Sequence, residues 1–156
     1  SNVASMALLT EEHLSWVGTS DPPATVEISR RDIVKYSTAT EQRQDKYLVG
    51  DEAPPMFVFN LFTAIPAMDA IRNDGLARSV QRGPSLPLKR IMAGGTNVEV
   101  HRPIRPGDVL TATRTLVGLS EKEGRSGPLM FVEHQTEVVD DEGRVVMSEH
   151  QTGIAR

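Results

Sequence analysis

The sequence feature that most constrains the fold is a long apolar segment, Ala53 to Ile71, near the middle of the chain. A helix that spans a membrane needs about 20 consecutive, predominantly apolar residues. This segment is instead interrupted by Asn60, Thr63, Pro66 and Asp69. We therefore expect it to be buried inside a folded domain and not to cross a bilayer.

The residues around this segment predict one long buried helix that begins near Pro54. Acidic residues and proline suit the first turn of a helix, and Asp51 and Glu52 come just before Pro54 and Pro55. From Met56 to Met68 nearly every side of the predicted helix is apolar, so other structure must surround it. Pro66 is expected to kink or end the helix.

The rest of the chain predicts a sheet that surrounds this helix. Alternation of apolar and polar residues predicts a short strand near Val26, and Ser29 then has the position of a helix N-cap, with Asp32 at the reciprocal position of a capping box. After the apolar segment the pattern predicts four strands joined by short turns, over residues 96–104, 109–117, 129–139 and 144–154. Consecutive hairpins imply an antiparallel sheet. The expected architecture is α+β, a single hot-dog domain over residues 1–156 in which the sheet wraps one helix, and whose open edge pairs with a second chain.

Composition excludes several classes of function. The chain has 156 residues, a net charge of −4 and no cysteine, which excludes disulfides and sites built on cysteine. An acidic balance and 4% aromatic residues argue against nucleic-acid binding. No two histidines have the spacing of a metal site, so we expect neither a metal nor a cofactor. The N-terminus lacks the pattern of a signal peptide, and we expect a cytoplasmic protein.

Several motifs resemble the MaoC-like dehydratase N-terminal domain family. They are the helix start 53–57, the strand 94–104, the turn 105–110 and the final hairpin around residues 136–152, and the likeness covers roughly residues 10–156. The resemblance implies a hot-dog fold that binds acyl thioesters of coenzyme A or acyl carrier protein. It also implies relatives that act as (R)-specific enoyl-thioester hydratases or dehydratases, often as double hot-dogs or heterodimers.

The chain departs from the catalytic members of that family where they carry an Asp and a His. Hydration of an enoyl thioester needs a base for water, an acid for the alpha carbon and donors for the enolate oxygen. By resemblance, Gln42 stands at the Asp position and Tyr47 at the His position, and neither is an effective base near neutral pH. The leading hypothesis is an acyl-thioester-binding, non-catalytic or half-site subunit whose partner supplies the dyad.

Two alternatives rest on other residues. Asp45 and Tyr47 are either an acid–base pair or part of a solvated loop. Asp51 and Glu52 are either the water-activating or attacking carboxylate of a hot-dog acyl-CoA thioesterase, or merely complement the helix dipole. A third hypothesis is an acyl-binding homodimer without catalysis.

Candidate substrate-binding residues lie at the start of the predicted helix and at the start of the strand-rich part of the chain. They are Pro54, Pro55, Phe57, Arg90, Gly94 and Gly95. Arg90 ends a basic loop that also carries Arg72, Arg78, Arg82 and Lys89. This loop either contacts the phosphates of coenzyme A or an acidic carrier protein, or it is an ordinary solvated loop. Gly94 and Gly95 either let the backbone approach a ligand or mark a bulge. His101, two residues after Glu99, is interpreted as structural.

Overall fold

The fold is a five-stranded antiparallel sheet with short helices on one face. The computed structural model describes residues 7–62, 65–78 and 83–156. The strands lie in the order β1-β3-β4-β5-β2. Their bounds are Ala24–Glu27 (β1), Ile91–Val100 (β2), Val109–Gly124 (β3), Gly127–Val139 (β4) and Val145–Ala155 (β5). All the pairings are antiparallel, which confirms the expected sheet.

Two predicted turns are present: one lies in the connection between β2 and β3, which do not pair with each other, and the other joins the paired strands β4 and β5. In the first turn the Asp108 amide donates to the Arg105 carbonyl over 3.2 Å, and Gly107 has φ +89°, which a type II turn requires at that position. In the second turn, between β4 and β5, the Gly143 amide donates to the Asp140 carbonyl over 3.0 Å. Both turns therefore form where the sequence places them.

The helices before the apolar segment are α1 (Glu11–Ser15), α2 (Arg30–Ala39) and α3 (Asp45–Leu48). The Ser29 hydroxyl accepts the Asp32 amide over 3.0 Å, so the predicted N-cap of α2 is confirmed. Glu41 has φ +54°, a left-handed conformation that cannot continue the helix. The four-residue helix α3 follows in a stretch that the sequence analysis treated as polar loop.

The single long helix expected from Pro54 is wrong for the described residues. Two short 3₁₀ helices, Phe57–Asn60 and Met68–Ala70, take its place. Thr63 and Ala64, inside the predicted helix, lie outside the described residues. The aromatic and β-branched residues that follow the two prolines are weak helix formers, so they do not hold the segment in a regular helix. Ile65 is 97% exposed, so burial is confirmed only for the first part of the segment.

The core forms between α2, the 3₁₀ helix at Phe57 and one face of the sheet. Phe57 is 3% exposed and Val58 is 1% exposed, and both pack in one cluster with Ile33 of α2. The sheet contributes inward-facing residues of three strands, namely Leu110, Ala112, Val138, Val146 and Met147. We call this side of the sheet the inner face.

Strand β2 is shorter at its end than predicted and irregular at its start. It ends at Val100, whereas the alternation pattern continued to Ile104. Pro103 lacks the amide that a longer strand would use. The register against β5 shifts between Ala93 and Gly95, which marks a bulge at Gly94. Among the described residues, none of the helices has the length and apolar character to span a bilayer.

Candidate functional site

A pocket of about 180 Å³ lies where the start of the apolar segment meets the end of β2. Glu52, His101 and Arg102 are the charged or titratable residues at its wall. The remaining lining residues are Ala53, Pro54, Pro55, Val100, Pro103, Ile104 and Met147. The pocket therefore brings together the predicted residues Glu52, Pro54 and Pro55 with a histidine that the sequence analysis interpreted as structural.

Backbone hydrogen bonds hold the two walls of this pocket together. The Ala53 amide donates to the Ile104 carbonyl over 2.8 Å, which ties the apolar segment to the residues after β2. The His101 amide donates to the Val146 carbonyl over 2.9 Å and so continues the contact with β5. Since both walls are tied through backbone groups, the pocket is part of the fold and does not depend on a mobile side chain.

Glu52 and Asp51 differ in their surroundings although they are neighbours in sequence. The Glu52 carboxylate accepts from Lys46 Nζ over 3.2 Å, and this hydrogen bond raises the pKa of Lys46. Asp51 is paired with Arg30, and its side chain is 63% exposed. Glu52 lines the pocket and Asp51 is not among its lining residues. Of the two candidate carboxylates, Glu52 is the one placed at a cavity.

Arg102 stabilises the turns beside the pocket. Its guanidinium donates to Asp108 over 2.9 Å and lies 3.6 Å from the Asp140 carboxylate. The hydrogen bond to Asp108 raises the pKa of Arg102. Backbone amides, first that of Arg144, lower the pKa of Asp140. Arg102 thus connects the Arg105–Asp108 turn to the β4–β5 turn.

The positions that the resemblance assigns to the catalytic Asp and His carry Gln42 and Tyr47. Gln42 donates its side-chain amide to the Thr40 hydroxyl over 3.2 Å. Tyr47 is 8% exposed and Asp45 is exposed, two residues apart on α3. Helix residues two apart do not face each other. The roles proposed for Asp45 and Tyr47 stay predictions, and the geometry brings neither to the pocket.

The other predicted binding residues lie away from the pocket. Phe57 packs in the core against Tyr36, edge to face, with ring centres 5.5 Å apart. Arg90 exchanges backbone hydrogen bonds with Arg156 at the end of β5. Gly94 lies at the bulge, where a Cβ atom would meet Ile154 and the Thr152 carbonyl at 3.0 Å. Close packing against β5 therefore accounts for this glycine without a ligand.

In the described part of the basic loop, two of the cations have partners within the loop. Arg72 is ion-paired with Asp74 at 2.5 Å, and Lys89 donates to the Ser85 hydroxyl over 3.2 Å. Arg82 lies outside the described residues. Arg78 and Arg90 are exposed.

A second polar group, on the inner face, was missed by the sequence analysis. Arg114 of β3 lies opposite Thr136 of β4, and Thr136 lies opposite Glu149 of β5. The next row contains His134 opposite Gln151. Directly opposite residues share a face of a sheet, and these rows share the face of Val138. We call these five residues the polar rows. The sequence does contain a signal for them, because each of the five residues lies an even number of positions from a buried apolar residue of its own strand.

Burial shifts the pKa of two members of the polar rows. Burial, assisted by the charge of Arg114, lowers the pKa of His134 to about 4, so the imidazole is neutral at neutral pH. Burial also raises the pKa of Glu149, and the positive charge of Arg114 opposes that shift. Glu149 is 7% exposed. Perturbed pKa values in one cluster are a common mark of functional sites.

Metal binding finds no support in the described part of the chain, which contains no group of three or more metal-ligating side chains. His13 Nε2 lies 3.2 Å from the Ser85 carbonyl, and His150 Nε2 lies 3.5 Å from Glu133. Both histidines therefore have protein partners.

Two related proteins are similar in sequence. A mesaconyl-C(4)-CoA hydratase of Chloroflexus aurantiacus is 28% identical, and the match covers 62% of this chain but only 37% of that protein. A UPF0336 protein of Streptomyces griseus is 26% identical, with 91% of this chain and 93% of that protein covered. The chain thus spans little more than a third of the hydratase and nearly all of the second relative.

Solved structures of low sequence identity share the fold. The C-terminally truncated HadBC (3R-hydroxyacyl-ACP dehydratase) complex of Mycobacterium tuberculosis matches with a TM-score of 0.65 and 18% identity, covering 90% of this chain and 97% of that chain. The ChsH1–ChsH2 complex of the same organism matches with a TM-score of 0.62 and 14% identity, over 87% and 83% of the chains. The (R)-hydratase PhaJ1 of Pseudomonas aeruginosa matches with a TM-score of 0.58 and 19% identity, over 89% and 81%.

These likenesses confirm the hot-dog fold that the sequence predicts. The family described as FAS1-like, dehydratase domain region matches residues 15–149, which is most of the chain. A MaoC-like dehydratase of Rhodospirillum rubrum shares this fold as well, with a TM-score of 0.56 and 17% identity over 89% of this chain and 91% of that chain. The chain therefore belongs to the FAS1-like dehydratase domain family.

Proposed function

We propose that this chain is the acyl-thioester-binding half-site subunit of an (R)-specific enoyl-thioester hydratase or dehydratase. The observation that carries the proposal is the chemistry at the two dyad positions. The side-chain amide of Gln42 is neither an acid nor a base near neutral pH, and Tyr47 is a buried phenol. The acid and the base must then come from a partner subunit, while this chain binds the acyl thioester of coenzyme A or acyl carrier protein.

The open edge of β2 is the surface we assign to that partner. Strand β2 is the last strand of the described sheet and pairs with β5 on one side. Along it, Ile91 is 71% exposed, Met92 39% and Val100 46%. An exposed edge with apolar side chains favours pairing with a further strand. Two of the matched structures, HadBC and ChsH1–ChsH2, are complexes, and they support assembly of this chain with a second subunit.

The proposed partner is a hot-dog chain that carries the Asp and His missing here. Its carboxylate and imidazole would activate water and protonate the alpha carbon of the enoyl group. The exposed cations Arg78 and Arg90 of this chain are suited to the phosphates of coenzyme A or to an acidic carrier protein.

Binding and turnover measured on the isolated chain test this proposal. We expect calorimetry with crotonyl-CoA to detect binding, and we expect hydration of the same ligand to stay at the uncatalysed rate. Loss of the enoyl absorbance at an enzymatic rate would contradict the half-site assignment. Absence of any binding, alone and with a catalytic hot-dog partner, would contradict the acyl-thioester assignment.

A second candidate function, thioester hydrolysis, is favoured by one observation. Glu52 and His101 line the same pocket, so a carboxylate and an imidazole lie beside one cavity. A carboxylate at this place could attack the thioester or activate water. If this function holds, acyl-CoA releases free thiol, and Glu52→Gln stops the release. Asp51→Asn is the matched control, because Asp51 does not line the pocket. Equal loss in both variants, or no thiol release by the wild type, would contradict it.

A further inference from the structure

The polar rows continue the inner surface that begins at the pocket. Met147 and Val100 line the pocket and lie opposite each other on β5 and β2. Two residues further along the same face, Glu149 lies opposite Val98 on one side and Thr136 on the other. The pocket wall therefore leads directly into the row that contains Arg114.

This part of the inner face is unsuited to a long aliphatic chain. An alkyl chain in contact with Arg114, Thr136, Glu149 and His134 would displace the water bound to these polar groups. It could not replace the hydrogen bonds that the water makes. Burying a polar group without a partner costs about 1 to 3 kcal/mol. An acyl group that ends in a polar function avoids this cost, because it can hydrogen-bond to the rows.

Arg114 determines which polar function fits. Its ion pair in the described part of the chain, with Asp21, is 3.7 Å long, which is beyond hydrogen-bond distance. Its side chain is 24% exposed, so the guanidinium is half-sheltered and still accessible. An arginine with free donors in a partly desolvated place is suited to bind a carboxylate through two parallel hydrogen bonds. The neutral imidazole of His134 and the Thr136 hydroxyl offer further donors.

From this placement we infer that the inner surface from the pocket to the polar rows selects short acyl thioesters that carry a terminal carboxylate, which Arg114 binds. This inference rests on the proposed acyl-thioester binding and narrows its substrate class. A terminal ammonium is the opposite choice, because Asp21 and Glu149 lie near the same place. It is disfavoured because Asp21 already faces Arg114 and is therefore not free to pair with a ligand ammonium.

Three ligands of similar acyl length distinguish these possibilities. Succinyl-CoA, butyryl-CoA and 4-aminobutyryl-CoA end in a carboxylate, a methyl group and an ammonium. We expect calorimetry on the full wild-type chain to give affinity for succinyl-CoA that is roughly tenfold or more above the affinity for the other two. Arg114→Met should remove this preference, because succinyl-CoA affinity falls by roughly tenfold and butyryl-CoA affinity rises when one polar group fewer is covered by the alkyl chain. Arg125→Met, at the exposed β3–β4 turn, is the matched control and should change nothing.

The outcomes separate this inference from the proposal on which it rests. If butyryl-CoA or 4-aminobutyryl-CoA binds as tightly as succinyl-CoA, the inference is overturned while acyl-thioester binding stands. If none of the three ligands binds, either to the chain alone or to its complex with a catalytic hot-dog partner, both are overturned. The comparison of ligands on the wild type needs no variant, so a poorly folded Arg114→Met protein does not decide the result. In that event Arg114→Lys, which keeps the charge but loses the paired donors, is expected to reduce the preference.

Discussion

The two halves of the inner face differ in what they do for the protein. The half around Leu110, Ala112, Val138 and Met147 is apolar, fully buried and packed against α2 and Phe57. The half formed by the polar rows carries charge and hydrogen-bonding groups on the same strands. Leu110 and Arg114 are four residues apart on β3, one in each half. The difference indicates that stability comes mainly from the first half, whereas the second is available for recognition.

The largest effect is expected from Leu110→Ala. Leu110 is fully buried, and removing most of its side chain leaves a cavity in the apolar half. We expect the free energy of unfolding to fall by about 3 kcal/mol, measured by urea denaturation at neutral pH. A loss below about 1 kcal/mol would mean that the apolar half is not the main source of stability.

The next effect is a pH dependence that belongs to the polar half. The pKa of His134 falls from 6.5 to about 4 on folding, so the unfolded chain binds this proton more readily. Stability from His134 is therefore present above pH 6.5 and is lost as the pH falls toward about 4. Glu149 acts in the opposite direction, because its raised pKa favours the folded chain as the pH falls.

His134→Gln measures the first of these contributions. We expect urea denaturation of the wild type and the variant to diverge between neutral pH and pH 4, by about 1 to 2 kcal/mol. This range is below the free energy that corresponds to the full pKa shift, because solvent screens a half-buried imidazole. Parallel pH profiles of the two proteins would show that His134 does not carry the effect.

A gain of stability is expected from Ser37→Ala in α2, the helix that packs against the apolar half through Ile33. Ser37 is fully buried in α2, and its hydroxyl has no hydrogen-bond partner among the described residues. Removing this group should raise the free energy of unfolding by about 1 kcal/mol. Ser29→Ala on the same helix is the opposed control, because it removes the N-cap and should cost about 1 kcal/mol. A destabilised Ser37→Ala protein would point to a hydroxyl contact that matters.

The smallest effect on stability is expected from Arg114→Met. Its ion pair with Asp21 is long and partly solvated, and such pairs contribute little. The methionine stem retains part of the packing of the arginine side chain. We expect the free energy of unfolding to change by less than about 1 kcal/mol in urea denaturation. A loss as large as that of Leu110→Ala would make Arg114 a structural residue and erase the contrast between the halves.

Local sequence signals were sufficient for the strands, the turns and the cap of α2. Alternation, turn glycines and Ser29 act over a few residues and leave a pattern that can be interpreted directly. The apolar segment shows the limit of that approach, because apolar composition predicts burial but does not specify a regular helix. Its start is buried at Phe57, whereas Ile65 is exposed.

The candidate site was predictable only in part, because it depends on contacts between distant residues. Glu52, Pro54 and Pro55 were identified from the chain, but their meeting with His101 follows from the Ala53–Ile104 hydrogen bond. To identify the polar rows from the sequence, one must know which residues of three neighbouring strands share a face. The bulges in β3 and β5 change which residues of those strands lie opposite each other. No local pattern records those shifts.

The most direct test of the half-site account is hydration of crotonyl-CoA by the isolated chain and by its complex with a hot-dog subunit that carries the Asp and His. The account predicts no catalysis by the isolated chain, catalysis by the complex, and loss of that catalysis when the partner's histidine is replaced. Hydration by the isolated chain at the rate of the complex would contradict it.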